Sequence, residues 1–189
     1  MATAWRRVER ARTPGEVRAA LAASAWGDPG GEDPATVAVV LRMVAAARTA
    51  ETVPPARRWA QGRAALLTAR SLFVAGRHLP AEAAREAGRL LRPGAVEAAS
   101  FEEFRQRMDP AAAWAVAGLD GSDELWRAEA RWWEVLEQDG RELLRDSRYG
   151  LAPVVGAVAV LSADAWRVRA ALELAERGGG PLEAFDALG

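Results

Sequence analysis

Apolar residues recur along most of this chain at the three- and four-residue spacing of amphipathic α-helices. The most regular run lies in the last third of the chain and consists of Val154, Val158, Leu161, Ala165, Val168, Leu172 and Ala175. We interpret this run as an apolar seam that packs against a neighbouring antiparallel helix, on a long helix from about residue 152 to 177. Trp59, Leu66 and Phe73 repeat every seven residues in another helix, predicted from about residue 55 to 76.

Capping residues mark the helix boundaries. Thr13 with Glu16, and likewise Ser100 with Glu103, have the spacing of a capping box. An Asp-Pro pair at residues 33–34, and another at 109–110, is typical of an N-cap followed by the first helical residue. Gly76 has the position of a glycine that ends a helix. Further helices are predicted over about 14–25, 34–50, 80–91 and 123–145, with two short ones opening at Ser100 and Asp109.

The two halves of the chain show the same order of elements. Each half runs through a short helix, a small-residue loop, a long helix, a Pro/Gly break, a second long helix and a glycine-bearing turn. In the second half the break is predicted at Ser147–Gly150, the turn at Gly178–Gly180, and a terminal turn from Pro181. We therefore predict an all-α fold of two tandem antiparallel helical-hairpin repeats, residues 1–95 and 96–189, packed as an irregular helical bundle. One continuous domain is the alternative.

The amino-acid composition excludes several kinds of catalytic and metal-binding site. It has no cysteine and a single histidine, His78, which excludes disulfides, thiolate metal sites, cysteine nucleophiles and paired-imidazole catalysis. Its alanine, leucine, arginine and glutamate content favours helix. Every basic residue is arginine. A GC-rich genome explains this bias, so the arginines do not by themselves indicate selection for phosphate binding.

Charge is distributed unevenly although the net charge is only −1. The chain up to Arg77 carries 12 arginines against 6 acidic residues, and from His78 onward 13 arginines meet 20 acidic residues. Such a dipolar chain is able to associate head to tail with a second copy, or to lie between partners of opposite sign. A pI near 6.0 and a single tyrosine do not indicate a nucleic-acid surface.

The longest uncharged apolar stretch, Leu151–Ala163, contains Pro153 and Gly156 and is shorter than the roughly 20 residues of a membrane span. We interpret it as a buried helix. The arginines near the N-terminus are not followed by the apolar segment of a secretory signal. We therefore predict a cytoplasmic protein that does not itself span the membrane.

Asp120, Asp123 and Glu124 form an acidic cluster with the composition of a Mg²⁺ site. The sequence offers no second acidic motif on a facing helix to complete it, and capping of the following helix explains these carboxylates. His78 lies in a predicted turn without the serine or acid pattern of a general base. We predict no catalytic, cofactor-binding or metal-binding residue and no cofactor. An enzyme that uses the acidic cluster with Mg²⁺ is the third functional hypothesis.

Two groups of residues are candidate partner contacts. The first is a basic stripe beside an aromatic residue and consists of Trp59, Arg63, Arg70 and Arg77. The second is a set of tryptophans on neighbouring faces of one predicted helix, namely Trp126, Trp132 and Trp133. A stripe of arginines is able to dock an acidic partner, or to be solvated or paired within the chain. The tryptophans fit either the core or a partner surface, because a helix that is apolar on two sides packs against two neighbours.

Two passages of the chain resemble the C/d family of V-type ATPase subunits. Residues 148–161, RYGLAPVVGAVAVL, and residues 163–172, ADAWRVRAAL, are similar to the family's last long helix. That helix has a small-Gly-x-x-Pro entry, an apolar run and an acidic, Asn-Leu-Arg-like stretch ending in Gly and Pro. Residues 21–28, LAASAWGD, resemble the family's short repeat opening. The likeness extends over roughly residues 12–189 and is one of pattern, with Arg167-Val-Arg169 in place of Asn-Leu-Arg.

The resemblance implies an all-helical, non-enzymatic subunit on the proteolipid ring that receives the foot of the central rotor stalk. Members of the family have three similar units arranged as a funnel, and this chain has room for two. The leading hypothesis is therefore a shortened coupling subunit of a V-type rotary ATPase, active in proton or ion transport and peripheral at the inner face of the membrane. Its partners would be the helical stalk and the proteolipid ring. The alternative is a free-standing cytoplasmic helical protein-interaction module unrelated to an ATPase.

Overall fold

The computed structural model describes residues 2–145 and 150–176, and this part of the chain contains α-helices and no strand, which confirms the all-α class. The α-helices are α1 (Ala2–Arg10), α2 (Pro14–Ala22), α3 (Pro34–Thr52), α4 (Arg57–Ala69), α5 (Ala81–Leu91), α6 (Pro93–Val96), α7 (Phe101–Arg107), α8 (Pro110–Ala113), α9 (Leu125–Arg145) and α10 (Leu151–Glu176). The sequence pattern does not predict α1. The breaks predicted at residues 147–149 and 178–180, and the turn from Pro181, lie outside the described residues.

The predicted caps are confirmed where α2 and α7 begin. The Thr13 hydroxyl accepts a hydrogen bond from the Glu16 amide at 3.2 Å, and the Glu16 carboxylate accepts one from the Thr13 amide at 3.3 Å. The Ser100 hydroxyl accepts from the Glu103 amide at 3.1 Å. Asp33 and Asp109 cap α3 and α8 in the same way. These bonds satisfy amides that have no partner inside the helix, which fixes where each helix starts.

The helix predicted from about residue 55 to 76 is not continuous. A 3₁₀ turn at Pro54–Ala56 precedes α4, and a π-helical turn at Arg70–Val74 follows it. The predicted stop at Gly76 is confirmed, because Gly76 has a φ of +60° and the Arg77 amide donates to the Ser71 carbonyl at 2.9 Å. The π turn changes the rotation per residue after Ala69. Residues seven apart across it therefore do not lie on one straight helical face.

The chain divides into two compact units, Met1–Leu125 and Trp126–Gly189. The boundary predicted at residues 95 and 96 lies inside the first unit. The reason is local packing, since α6 contacts both α5 and α7, and the Asp109 amide donates to the Leu91 carbonyl at 3.0 Å. The helices α7 and α8 therefore complete the first unit instead of opening a second repeat.

The core of the first unit forms where α3, α4 and α5 pack on one another and α8 packs on α4. Along α4 nine of the thirteen residues are buried, including Trp59 and Leu66 at 5% and 1% exposure. The seven-residue spacing of these two residues thus marks a core face. Phe73 extends this core by contacting Phe101 and Phe104, with ring centroids 5.8 and 5.7 Å away.

Candidate helix-docking surface

The second unit is a helical hairpin in which α9 and α10 run antiparallel. Small residues allow the two backbones to approach closely, because Gly156, Ala159 and Ala163 are the buried residues of α10. A Cβ atom placed on Gly156 would lie 2.5 Å from the Gly140 carbonyl oxygen, and one on Gly140 would lie 2.9 Å from the Ala159 Cβ. Side chains larger than hydrogen at these two positions would push the helices apart.

Aromatic stacking holds the hairpin together farther along the same interface. Trp133 of α9 stacks on Trp166 of α10 with ring centroids 5.4 Å apart and an angle of 17° between the planes. Trp132 meets Trp133 edge to face at 4.8 Å. Such pairs stabilise by about 0.5–1.5 kcal/mol beyond the area they bury. Trp133 therefore belongs to the contact between α9 and α10.

Glu137 of α9 is the buried acidic residue of the hairpin, at 5% exposure. Its carboxylate accepts a hydrogen bond from Arg167 of α10 and forms an ion pair with Arg141 at 2.5 Å. The hydrogen bond from Arg167 lowers the pKa of Glu137 and raises the pKa of Arg167. The Glu137–Arg167 pair stabilises the buried Glu137 carboxylate between the two helices and sets the register of α9 against α10.

The opposite face of α10 is apolar and exposed. Its large residues are 52–67% exposed, and they are Leu151, Val154, Val158, Leu161, Val168 and Leu172. With the exposed Ala165 they follow one another at alternating spacings of three and four residues. We call these seven residues the α10 seam. The alternation is the heptad pattern of a helix that packs along its length against another helix.

The exposure of the α10 seam corrects two sequence predictions. The predicted run from Val154 to Ala175, which shares six residues with the α10 seam, was expected to pack on a neighbouring antiparallel helix, but α9 packs on the small-residue face instead. The stretch Leu151–Ala163 was expected to be a buried helix, and within it Gly156, Ala159 and Ala163 are buried. The small residues at 156, 159 and 163 were the signal that could have revealed this face, because they lie three and four residues apart.

The tryptophans predicted as partner contacts lie in three different environments. Trp59 is core in the first unit, and Trp132 is 8% exposed, so neither side chain presents a surface to a partner in this conformation. Trp133 lies in the hairpin interface. Trp126 is 57% exposed, and the Arg127 guanidinium lies 5.2 Å from its ring centroid. Of this group, Trp126 is the side chain that the structure places at the surface.

The predicted basic stripe is not a single face. Arg63 is partly buried on α4, whereas Arg70 lies in the π turn and Arg77 follows Gly76, both exposed. Hydrogen bonds from Thr36 lower the pKa of Asp33, and the charge of Arg77 contributes to this shift. Arg77 thus interacts electrostatically with the cap of α3. The three arginines remain a predicted docking group, but without the shared helical stripe that motivated the prediction.

A polar cleft of about 520 Å³, which the sequence pattern does not indicate, lies in the first unit among α3, α4 and α5. Arginines line it, and each has a partner within the chain. Arg85 and Arg89 bind the buried Glu86 carboxylate at 3.1 and 3.2 Å. Arg57 donates to the Ala50 carbonyl at 2.9 Å, and Arg48 lies over the ring of Trp26. The arginines of the cleft are therefore held by an ion-pair group within α5, by one hydrogen bond between α4 and α3, and by one aromatic contact.

The predicted acidic cluster is a helix start. The Glu124 carboxylate accepts a hydrogen bond from the Asp120 amide at 3.0 Å, in a 3₁₀ turn that leads into α9. Among residues 2–145 and 150–176, no group of three His, Cys, Asp or Glu side chains is arranged to hold a metal ion. His78 is exposed, as expected of a turn residue.

Within the described residues, α10 is also the one helix that is long and apolar enough, by length and composition, to cross a membrane. Its most apolar 18-residue window has a mean hydropathy of 1.4 and is 22% buried. The seam accounts for this low burial. The prediction that the chain does not span a membrane remains a prediction. Comparison of the chain with protein-family models, with curated proteins and with solved structures gave no match.

Proposed function

We propose that this chain is a non-catalytic helical protein-interaction module and that the α10 seam is its binding surface. The observation that carries the proposal is the exposure of six large aliphatic side chains at heptad spacing along a single helix. Their exposed area is roughly 600 Å², which is at the upper end of the largest apolar patch on an ordinary monomer. Burying that area would contribute on the order of 15 kcal/mol before the costs of association.

The composition around the seam favours a protein helix over lipid as the occupant. Asp164, Arg167 and Arg169 lie on α10 between the apolar positions. The apolar window of α10 that is long enough to cross a membrane includes Asp164 and Arg167, and a charge in hydrocarbon costs up to about 2.5–3.5 kcal/mol at the bilayer centre. A partner helix would cover the heptad positions alone and leave the flanking charges in water or in ion pairs.

The coupling subunit of a V-type rotary ATPase is the second candidate function. The observation that favours it is the position of the resemblance, because residues 148–172 include the whole α10 seam. A long helix of the central stalk would fit a surface of this shape. This candidate predicts genes for nucleotide-binding and proteolipid subunits beside the gene for this chain, and co-purification with those subunits. If these subunits were neither encoded beside the gene nor co-purified with the chain, the coupling-subunit candidate would be contradicted.

A photoreactive phenylalanine analogue in place of Leu161 tests the binding surface in cells of the native organism. We expect protein adducts after irradiation, because the analogue lies at the middle of the seam. The matched control places the analogue at Leu144 of α9, which is 45% exposed but lies outside the seam. Lipid adducts at position 161, or protein adducts no more frequent than at position 144, would contradict the proposed function.

A further inference from the structure

We propose that the occupant of the α10 seam is α10 of a second copy of the chain, aligned in parallel and in register. The inference rests on the proposed function and names its partner. It combines three observations: the heptad order of the seam, the spacing of two charged residues beside it, and the area that the seam exposes.

The heptad order is regular over 22 residues. Spacings of three and four residues place Leu151, Val158, Ala165 and Leu172 at position a, and Val154, Leu161 and Val168 at position d. In a parallel in-register pair each layer brings together two identical side chains. In the central layers, Val158 at position a followed by Leu161 at position d is the combination that favours two strands, whereas Leu151 and Val154 have the reverse order.

The charges beside the seam select the parallel arrangement. Asp164 occupies position g and Arg169 the next position e, five residues later. In a parallel pair a g residue faces the following e residue of the other helix, so Asp164 of each copy meets Arg169 of the other. Two symmetry-related ion pairs result, each between an Asp164 carboxylate and an Arg169 guanidinium. Asp164 is available for this contact because its side chain is 58% exposed and its ion pair with Arg167 is 3.4 Å long.

An antiparallel pairing would match the same apolar residues but not the charges. In such a pair each a residue meets a d residue of the other helix, the e positions face one another and so do the g positions. The e positions along the seam are Val155, Ser162 and Arg169, and the g positions are Ala157, Asp164 and Ala171, so no antiparallel alignment brings Asp164 to a basic residue or Arg169 to an acidic one within the seam. Neither charge gains a partner in an antiparallel pair.

The geometry of the hairpin is compatible with this pairing. Gly156, Ala159 and Arg167, which contact α9, lie at heptad positions other than a and d. A second copy therefore covers the seam without displacing α9. The two seams together would bury about 1,200 Å², which is at the lower end of the range for specific interfaces. We therefore expect a reversible dimer whose population depends on concentration.

Sedimentation of the full chain over a range of concentrations tests for this dimer. We expect a monomer–dimer equilibrium in the wild type. Leu161→Glu should raise the dissociation constant on the order of a hundredfold, because it places two carboxylates in the central layer. The matched control Leu144→Glu should leave the dissociation constant within about threefold, since Leu144 lies outside the seam. A wild-type chain that is monomeric at all concentrations would overturn the inference, and so would a dimer that Leu161→Glu does not weaken.

The absence of cysteine from the chain permits a direct test of the alignment. In a parallel dimer, Leu151→Cys and Leu172→Cys should each form an intermolecular disulfide under mild oxidation by oxidised glutathione. In an antiparallel dimer the two equivalent positions lie about 30 Å apart, so neither variant alone would cross-link. A chain that dimerises but in which neither variant cross-links would overturn the parallel alignment.

Charge reversal tests the ion pairs without changing the apolar seam. Asp164→Arg and Arg169→Asp should each weaken the dimer about five- to tenfold at low salt, and the double variant should restore it. A double variant as weak as the single ones would contradict the pairing. A monomeric chain that still gives protein adducts from position 161 in cells would refute the second copy while leaving the proposed function intact. Lipid adducts, or vesicle flotation of the purified chain, would refute both.

Discussion

At the scale of single residues, Glu137 shows how a buried charge is retained in the hairpin. The carboxylate is almost fully buried, yet the Arg167 and Arg141 guanidinium groups both reach it. Arg167 is itself 40% exposed, so solvent screens part of the attraction. Glu137 therefore contributes moderately to the stability of the hairpin. It also fixes the register of α9 against α10, because the Glu137–Arg167 pair would break if either helix moved by one turn.

Glu137→Gln should destabilise the hairpin by about 1–2 kcal/mol, because the amide keeps the size of the side chain but loses the charged hydrogen bond. The measurement is the free energy of local opening of α10 from hydrogen exchange. Arg141→Gln is the control, since Arg141 is 60% exposed and should cost less than about 0.5 kcal/mol. Equal losses in the two variants would contradict a special role for the Glu137–Arg167 pair.

The pH dependence of the hairpin follows from the direction of the same pKa shift. The pKa of Glu137 is lowered in the folded chain from 4.5, chiefly by the hydrogen bond from Arg167. Its contribution to stability is therefore complete above pH 4.5 and is lost as the pH falls through the lower folded-state pKa. We expect local opening of α10, corrected for intrinsic exchange rates, to become easier below pH 4.5 in the wild type. That part of the pH dependence should be missing in Glu137→Gln.

At the scale of elements, the α9–α10 hairpin depends on two glycines that face each other. A Cβ at Gly156 would meet backbone atoms, which are unable to move without separating the helices. Gly88 in α5 differs, because a Cβ there would meet its nearest atom, in Pro93, at 3.7 Å, which is ordinary contact. The two positions therefore separate the effect of close packing from the effect of helix propensity.

Gly156→Ala should destabilise the hairpin by about 1–2 kcal/mol, since the clash exceeds the gain in helix propensity. Gly88→Ala should instead stabilise the first unit by about 0.5–1 kcal/mol. Hydrogen exchange of α10 and of α5 measures the two effects separately. Stabilisation of α10 by Gly156→Ala would show that the helices are farther apart than the structure places them.

The helices themselves could largely be predicted from sequence, because capping is a local interaction. Thr13, Asp33, Ser100 and Asp109 each start a helix as predicted. The interruption of α4 could not be predicted, since Arg70–Val74 has no proline or glycine to mark a π turn. Phe73 in this turn contacts Phe101 and Phe104, and periodicity along the chain does not report such a tertiary contact.

At the scale of the whole molecule, the division into units could not be predicted from the apparent repeat. The similar order of capping residues, prolines and glycines in the two halves predicted a boundary near residue 95. A backbone hydrogen bond between Leu91 and Asp109 crosses that boundary. The sequence shows the apolar seam, but it does not show which helix covers it. When a helix is apolar on two sides, its sequence pattern does not indicate which side packs within the chain. The small residues at 156, 159 and 163 decide this in the structure.

The central claim is that α10 presents its heptad face to solvent and thus to a partner. The most direct measurement is the rate of thiol labelling of Leu161→Cys and Ala163→Cys in dilute solution, where the chain is monomeric. We predict that the thiol at position 161 reacts nearly as fast as in the unfolded chain, and that the thiol at position 163 reacts on the order of a hundred times more slowly, because it requires opening of the hairpin. Equal protection at the two positions in the monomer would show that the chain itself covers the seam, and would contradict the claim.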